Sequence, residues 1–590
     1  MYHIRPKDRK SLILAAMGKV ACDLKVENAK IVNVFTGEVL DGSVYVKDGF
    51  IAHVAYDGKD DDLEAKEVID AHGRYLMPGL IDAHVHIESS MLTPYNFAKL
   101  VIPWGTTTVI TDPHEIGNVL GVKGVRYMHD VSEDLPMRQF IDIPSSIPSV
   151  KGGLEYANAE FYKEEVKELS KLERVIGLAE VMDYLAVINA EDWMVEILDE
   201  ALDDGLYLQA HAPGLSGKAL SAYLCGGPHS DHETRGSGEA FEKMRQGMHI
   251  DARDSSMAKN VLDILDGIKG TKYYDTLSFC TDDRECDDIL KHGHMNDVVN
   301  NGIAWGLDPV LAIKSATINS AREAEIKGLG AIAPGYVADM LIVDDLRHID
   351  PKVVFFEGRV VARDHELVVD IKDTISEVEE IDTVDLKEDL SYEDFKVSAP
   401  IADGKVMVNV MAYDNEEIST THLEKTEMEV RDGEVVLPDG YHYVAVLNRY
   451  GRHNMAVHIL KGFGMERGAV GSTVSHDCHN LCIVYKDARD AYKVAMDIKE
   501  AKGGMSAVLD QKTLYTLSLP LAGLMSLKEA KEFYLEAEKM KEADRKLGMK
   551  QENPLLRIAT IALPVIPDVK MSDVGCIDVN TKTFIKLFDL

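Results

Sequence analysis

Between Tyr75 and Ile332 the chain repeats one arrangement: a short apolar run ending on a polar residue, followed by a helical pattern such as EFYKEEVKELSKLERV. Strands that alternate with helices in this way build a parallel sheet, because each helix carries the chain back to the edge where the next strand starts. The candidate strands end near His86, Thr111, Pro144, Glu180, His211, His232, Asp251 and Asp282. That number predicts an α/β fold with a (β/α)8 TIM-like barrel. In such a barrel the C-terminal strand ends converge on one mouth, so the His, Glu and Asp residues on those ends form the candidate site.

Outside this stretch the pattern changes. From Ala29 to Ala55 apolar and polar residues alternate, with Gly37, Gly42 and Gly49 as turn residues, which predicts short antiparallel strands. A like pattern returns from Tyr336 to Val369, and the two stretches are expected to complete one small composite β-subdomain around the inserted barrel. Ahead of it, Leu12, Ile13, Ala16 and Val20 recur at helical spacing and Lys19 interrupts the apolar block, which fits an amphipathic helix and no signal peptide. The expected division is 1–74 for the helix and β-subdomain, 75–333 for the barrel, 334–370 for the return strands, 371–396 for an acidic linker and 397–590 for a mixed α+β domain.

Charge and thiols narrow the partners. The 590 residues carry a net charge of −36, so the surface repels nucleic-acid phosphates and anionic lipid heads, and neither a nucleic acid nor a membrane is expected as a partner. No apolar run reaches the ~18 to 20 residues that span a bilayer. The seven cysteines are odd in number and widely spread, which suits reduced thiols in the cytoplasm.

The densest chemistry lies in LIDAHVHIESSMLTP, from Leu80 to Pro94. At a strand period of two, Asp82, His84, His86 and Glu88 project to one face while Ile81, Ala83, Val85 and Ile87 pack on the other. An HxH pair at a strand end offers two neutral nitrogen ligands to one divalent ion. Alone it is equally a pair of core histidines satisfied by the backbone. The other strand ends tip the balance: GLAEVMDY supplies Glu180, LYLQAHAPG His211, LCGGPHSDHE His232 and TLSFCTDD Asp282. Four imidazoles, a glutamate and an aspartate suit two metal ions, with the glutamate bridging and the aspartate both binding one ion and relaying protons. Imidazole with carboxylate favours manganese, iron or zinc over magnesium and calcium.

Weaker candidates surround this set. Glu233, beside His232, and after it Glu115 are the candidates for a second acid that protonates or hydrogen-bonds a substrate ring; the alternative for each is to orient a ligand imidazole. Ser89 and Ser90 are expected to cap a following helix in preference to touching substrate. Asp112 and His114 in TDPHE are expected to support the ligands. Arg284, His292 and His294 follow the eighth strand near the mouth, and a third metal at the two histidines is a remote option. In SHDCHNLC the spacing of His476, Asp477, Cys478, His479 and Cys482 fits no closed zinc pattern. A C-terminal domain packed over the mouth would instead bring His476, Asp477 or His479 to the pocket and help to exclude water.

HVHIESSMLTP, TDPHEIGNVLG, GLAEVMDY, HAPGLSGKALSAY, SDHE and CTDD, in this order, resemble the adenine deaminase family of the metal-dependent amidohydrolase superfamily. TVSHDCHN and ALPVIPDVKMSDVG resemble the family's C-terminal domain. The resemblance implies a binuclear centre of Mn2+ or Fe2+, with Zn2+ as the third choice, on His84, His86, Glu180, His211, His232 and Asp282. It implies hydrolysis of adenine to hypoxanthine and ammonia in purine salvage, and a homodimer or larger homo-oligomer. Glu180 stands where many cyclic-amide hydrolases of the superfamily carry a carbamylated lysine, which steers away from them.

The chemistry is demanding in itself. An aromatic amidine carbon is a poor electrophile and ammonia a poor leaving group, so the site needs a strong nucleophile at neutral pH together with proton delivery. Asp282 is expected to take the proton from water and pass it on. Two rivals are weighed against this. Another hydrolase of the superfamily, acting on a cyclic amide or a different aminated heterocycle, is separated by comparing ammonia release from several bases. A catalytically silent binding or assembly protein on the same scaffold predicts a lost ligand, and none is missing. Nucleic-acid editing lacks its HxE and PCxxC signature.

Overall fold

The structure, a computed structural model, describes residues 1–414, 420–551, 553–566 and 568–589. The repeating stretch forms eight strands: β1 (Leu80–Val85), β2 (Thr106–Thr111), β3 (Arg138–Ile143), β4 (Val175–Val181), β5 (Tyr207–Ala210), β6 (Ser230–Asp231), β7 (His249–Arg253) and β8 (Leu277–Cys280). β1 to β5 pair in sequence order as one parallel sheet, and β6 to β8 as another. The two sheets meet where His229 N donates to Leu208 O at 3.2 Å. Past β8, Asp282 N donates to His84 O at 3.0 Å and His86 N to Asp282 O at 3.3 Å. The parallel strands therefore curl until the chain beyond the last lies against the end of the first. Every residue of β1, β2 and β4 is buried, since both faces of a parallel sheet are covered. At Gly177 in β4 a Cβ would lie 2.5 Å from Asp142 Oδ1 and from a ring carbon of Tyr207, so only hydrogen fits between neighbouring strands there.

Two nine-stranded sheets flank the curl. The strand Tyr75–Pro78 pairs with Cys22–Val32 in parallel and with Met340–Val343 antiparallel, so strands from either side of the curl in sequence share one nine-stranded sheet. The N-terminal helix covers Arg9–Ala16 and is shorter than its apolar spacing suggested. Gly18, at φ 67°, ends it, with its N–H on Ala15 O and that of Lys19 on Leu14 O. Leu12 and Ala15 are buried, whereas Ile13 and Val20 are exposed. The acidic stretch is packed: Val378 is buried, Lys99 reaches Asp373 at 2.7 Å and Tyr127 donates to Glu379 at 3.2 Å.

The C-terminal part holds a second nine-stranded sheet and the helices Ala488–Glu500 and Ala530–Lys546. It docks on the curl through Asn96 Nδ2, which donates to Lys528 O at 2.9 Å, and through Lys541 Nζ, 2.8 Å from Asp287 Oδ2. All seven cysteines are unpaired. Among the described residues no helix is long and apolar enough to cross a membrane.

Candidate metal centre and active site

The C-terminal ends of the parallel strands carry six side chains that converge. His84 lies in β1 and His86 just past it, Glu180 in β4, His211 and His232 immediately after β5 and β6, and Asp282 after β8. All are buried except His211, which is half-buried. Asp282 adopts φ 56°, a left-handed turn that folds it back toward β1. His84 and His86 bring their Nε2 atoms to 3.2 Å, and Asp282 Oδ1 stands 3.5 and 3.3 Å from them. Glu180 faces both ways: Oε1 is 3.5 Å from His86 Nε2, while Oε2 is 2.5 Å from His211 Nδ1 and 3.1 Å from His232 Nε2.

The ring tautomers test whether this donor set suits a cation. His84 Nδ1 is 2.8 Å from Gln209 Oε1, and Gln209 is oriented by donating its own Nε2 to Ala83 O at 2.9 Å. His86 Nδ1 donates to Asp112 O at 3.0 Å. Each proton therefore sits on Nδ1, and two Nε2 lone pairs point at one another across 3.2 Å. That arrangement is repulsive by itself. A divalent ion held by both nitrogens would relieve it, and the outer hydrogen bonds are those that orient ligand imidazoles. Several groups of three or four His, Asp and Glu side chains here can hold a metal ion, among them His84 with His232 and Asp282, and Glu180 with His211 and His232.

The remaining candidates divide. Asp112 accepts from the His114 backbone N–H and from its Nδ1, both at 3.0 Å, and His114 turns its other edge to Asp477, 3.6 Å away. Glu88 does not continue the strand face. β1 ends at Val85 and Ile87–Ser90 is a 3-10 turn, so Glu88 Oε1 accepts from Ile116 N at 3.3 Å and its buried Oε2 has no hydrogen-bond partner among the described residues. Neither serine caps the next helix, whose N-cap residue is Thr93. Ser90 donates to Ile87 O within its own turn, and Ser89 donates to Asp283 Oδ1 at 2.5 Å. Arg284 is buried and pairs with Asp297. His294 lies away from the mouth, 2.9 Å from Thr106 Oγ1, while His292 is exposed, so the two share no site.

Both candidate acids are tied to cations. Glu233 and Asp282 share the Arg253 guanidinium, with Nη1 2.6 Å from Asp282 Oδ2. Burial raises the Glu233 carboxyl, but Arg253 together with His211 and His232 more than offsets this and holds it below its ordinary value. Glu115 Oε1 lies 2.7 Å from His476 Nδ1, and Oε2 meets His479 Nε2. Burial is again outweighed, and the two imidazoles hold Glu115 well below the carboxylate range. A cleft of about 1210 Å3 opens over these groups, lined by His86, Glu180, His232 and Asp282 on one side and by His476 and Asp477 on the other.

Three neighbours escaped the sequence reading: Gln209, Arg253 and Asp283. Arg253 ends β7 and was reachable by the strand-end rule that found Asp282. Gln209 and Asp283 carry no local signal, because their roles rest on partners more than 100 residues away.

Comparison with known proteins agrees with this geometry. Residues 75–364 match the amidohydrolase family and residues 418–583 the adenine deaminase C-terminal domain. The chain is 37% identical over 581 residues to an adenine deaminase of Kosmotoga olearia, covering 98% of each chain. It is 37% identical to adenine deaminase 2 of Carboxydothermus hydrogenoformans, again over 98% of each, and 36% identical to an adenine deaminase of Dehalococcoides mccartyi over 97% of each. With converging imidazoles and carboxylates at the strand ends and this likeness running end to end, the chain belongs to the adenine deaminase family of the amidohydrolases.

Proposed function

We propose that the protein hydrolyses adenine to hypoxanthine and ammonia at a binuclear divalent centre. The observation that carries this reading is Glu180, whose two oxygens address separate imidazole groups, His86 on one side and His211 with His232 on the other. His84, His86 and Asp282 would hold one ion and His211 and His232 the second, with Glu180 within reach of both groups. Manganese or ferrous iron suits these nitrogen and oxygen donors, with zinc third. When bound, such ions lower the pKa of water toward ~7 and so supply a nucleophile at neutral pH.

The chain's own groups handle the protons. Arg253 fixes Asp282 through Oδ2, and Asp282 takes the proton of the attacking water and passes it to the departing amine. Glu233 and Glu115 are ion-paired anions, so each positions charge instead of giving up a proton. Asp112 orients His86, and Ser89 holds Asp283 at the cleft wall. His114 and Arg284 line that wall with Glu88 behind it, and His476 and Asp477, backed by His479, close it from the C-terminal side, which limits the water around the base.

In the same reading the curled sheet is a closed (β/α)8 barrel spanning 75–333, set between 1–74 and 334–370 and joined through 371–396 to the family domain at 397–590. The protein works in the cytoplasm as a homo-oligomer in purine salvage, with no nucleic-acid or membrane partner. Unpaired cysteines and the net charge of −36 support this setting. The test is ammonia release from adenine, adenosine, cytosine and guanine after chelation and manganese reloading. Adenine alone is expected to react, and an inert adenine overturns the proposal.

A further inference from the structure

We infer that His476, contributed by the C-terminal part of the chain, is a catalytic residue whose Nε2–H faces the cleft and hydrogen-bonds the purine ring as it gains negative charge. Glu115 and His479 are positioning residues behind it. The inference rests on the adenine reading above and adds a member to its machinery.

Two ring tautomers fix which edge of His476 is left for the cleft. Ser475 N donates to His479 Nδ1 at 3.2 Å, so the Nδ1 lone pair is engaged and the neutral ring carries its proton on Nε2. That edge meets Glu115 Oε2. Glu115 thus faces the protonated edge of one imidazole through Oε2 and presents Oε1 to the next, His476 Nδ1, at 2.7 Å. An anionic oxygen at this distance repels a ring lone pair and favours a proton on Nδ1 of His476. Its Nε2 is the ring nitrogen left for the cleft, which His476 lines with Glu180 and Asp282.

The same chain of bonds argues against a cation among Glu115, His476 and His479, although their ligand atoms lie close enough for one. Coordination would need the Nε2 lone pair of His479, and the Ser475 bond leaves a proton there. The segment is also pinned. Arg449 is fully buried, donates to His479 O and to Ala522 O, and bonds Thr383 Oγ1 at 2.6 Å. A histidine on so fixed a loop, backed by an anion, is preorganised for charge that develops in the transition state.

The groups that face His476 are Glu115 from the helix His114–Leu120, Asp283 from the turn after β8, and Asp477 and His479 from its own segment. Burial opposes a charge on the ring, but Glu115, with Asp283 and Asp477, outweighs it and lifts the imidazole to about 9. At neutral pH it therefore has a proton on both nitrogens.

The experiment uses the full-length, manganese-loaded enzyme. His476→Phe is expected to keep its bound metal and its unfolding temperature while kcat/KM for adenine falls about 100-fold or more, the scale of losing one preorganised donor. Glu115→Gln is expected to move the alkaline limb of kcat/KM downward by at least about one pH unit, since the anion that sustains the His476 charge is gone. Should His476→Phe fail to fold, the Glu115→Gln profile decides. Wild-type kcat/KM in a metal-replete His476→Phe, or an unmoved limb in Glu115→Gln, overturns the assignment while leaving the adenine reading intact. A wild-type enzyme inert on adenine overturns both.

Discussion

Replacing Lys243 by methionine should both destabilise the protein and loosen the proposed second metal group. Lys243 has no exposed surface and lies in the helix Ser237–Arg245. Its Nζ is 2.8 Å from Asp231 Oδ2, 2.6 Å from Glu239 Oε1 and 2.7 Å from Ala212 O. Asp231 in turn accepts from Ala212 N at 2.8 Å. Asp231 precedes His232 and Ala212 follows His211, so a single ammonium ties together the two backbones that carry these imidazoles. Methionine keeps most of the stem and removes the charge, leaving Asp231 buried and unpaired. Breaking a buried pair in this way costs about 3–5 kcal/mol. If the Asp231 carboxylate is removed as well, in Asp231→Asn/Lys243→Met, the fully buried uncompensated charge disappears, the partly exposed Glu239 remains the one carboxylate that has lost its ammonium, and the cost should fall to roughly 1–3 kcal/mol, the scale of unsatisfied neutral groups. Urea unfolding of the wild type, both single variants and the double variant measures the difference. A competition titration of the folded proteins should show metal affinity 10- to 100-fold weaker in Lys243→Met, as for lost support of ligands. A double variant as unstable as Lys243→Met, or a single variant within about 1 kcal/mol of wild type, refutes the reasoning.

Gln209→Leu removes the acceptor that keeps the His84 proton on Nδ1, so metal affinity should drop about 10- to 100-fold with the fold intact, read by metal analysis after dialysis against a graded chelator. Gly177→Ala forces a methyl against Asp142 and Tyr207 and should cost about 1–3 kcal/mol in thermal unfolding; an unchanged midpoint contradicts the close approach of β3, β4 and β5. Burial pushes the Asp544 carboxyl up to about 8, and its Oδ1 has no hydrogen-bond partner among the described residues. The unfolded chain releases this proton near pH 4 and the folded protein near 8, so stability is lost as pH rises between those values, by up to about 1.4 kcal/mol per unit. The stability of Asp544→Asn relative to wild type should accordingly improve from pH 5 to pH 8, and a constant difference argues against a neutral Asp544.

Much of the site is legible in the sequence because its candidate ligands sit where strands stop. An apolar run ending in His, Glu or Asp is a local signal, and β1, β4, β5, β6 and β8 each end within about two residues of the side chain they deliver. The strand ends His86, Glu180 and Asp282 could be read without knowing which strand neighbours which. Glu88 shows the limit of the same rule. The two-residue period places it on the ligand face, but the chain turns after Val85 and the period no longer applies.

The sequence by itself determined the alternation of strands and helices, the six metal-binding candidates and the family, all of which are written in short-range pattern or in motif order. Tertiary structure alone decided the protonation of the site. Glu233 and Glu115 look like acids along the chain, yet the fold pairs one with Arg253 and the other with His476 and His479, more than 350 residues away. A carboxyl's charge depends on what lies within a few ångströms of it in a medium of low dielectric. No period or motif records that neighbourhood, because it is assembled only when the C-terminal part closes over the ends of the parallel strands.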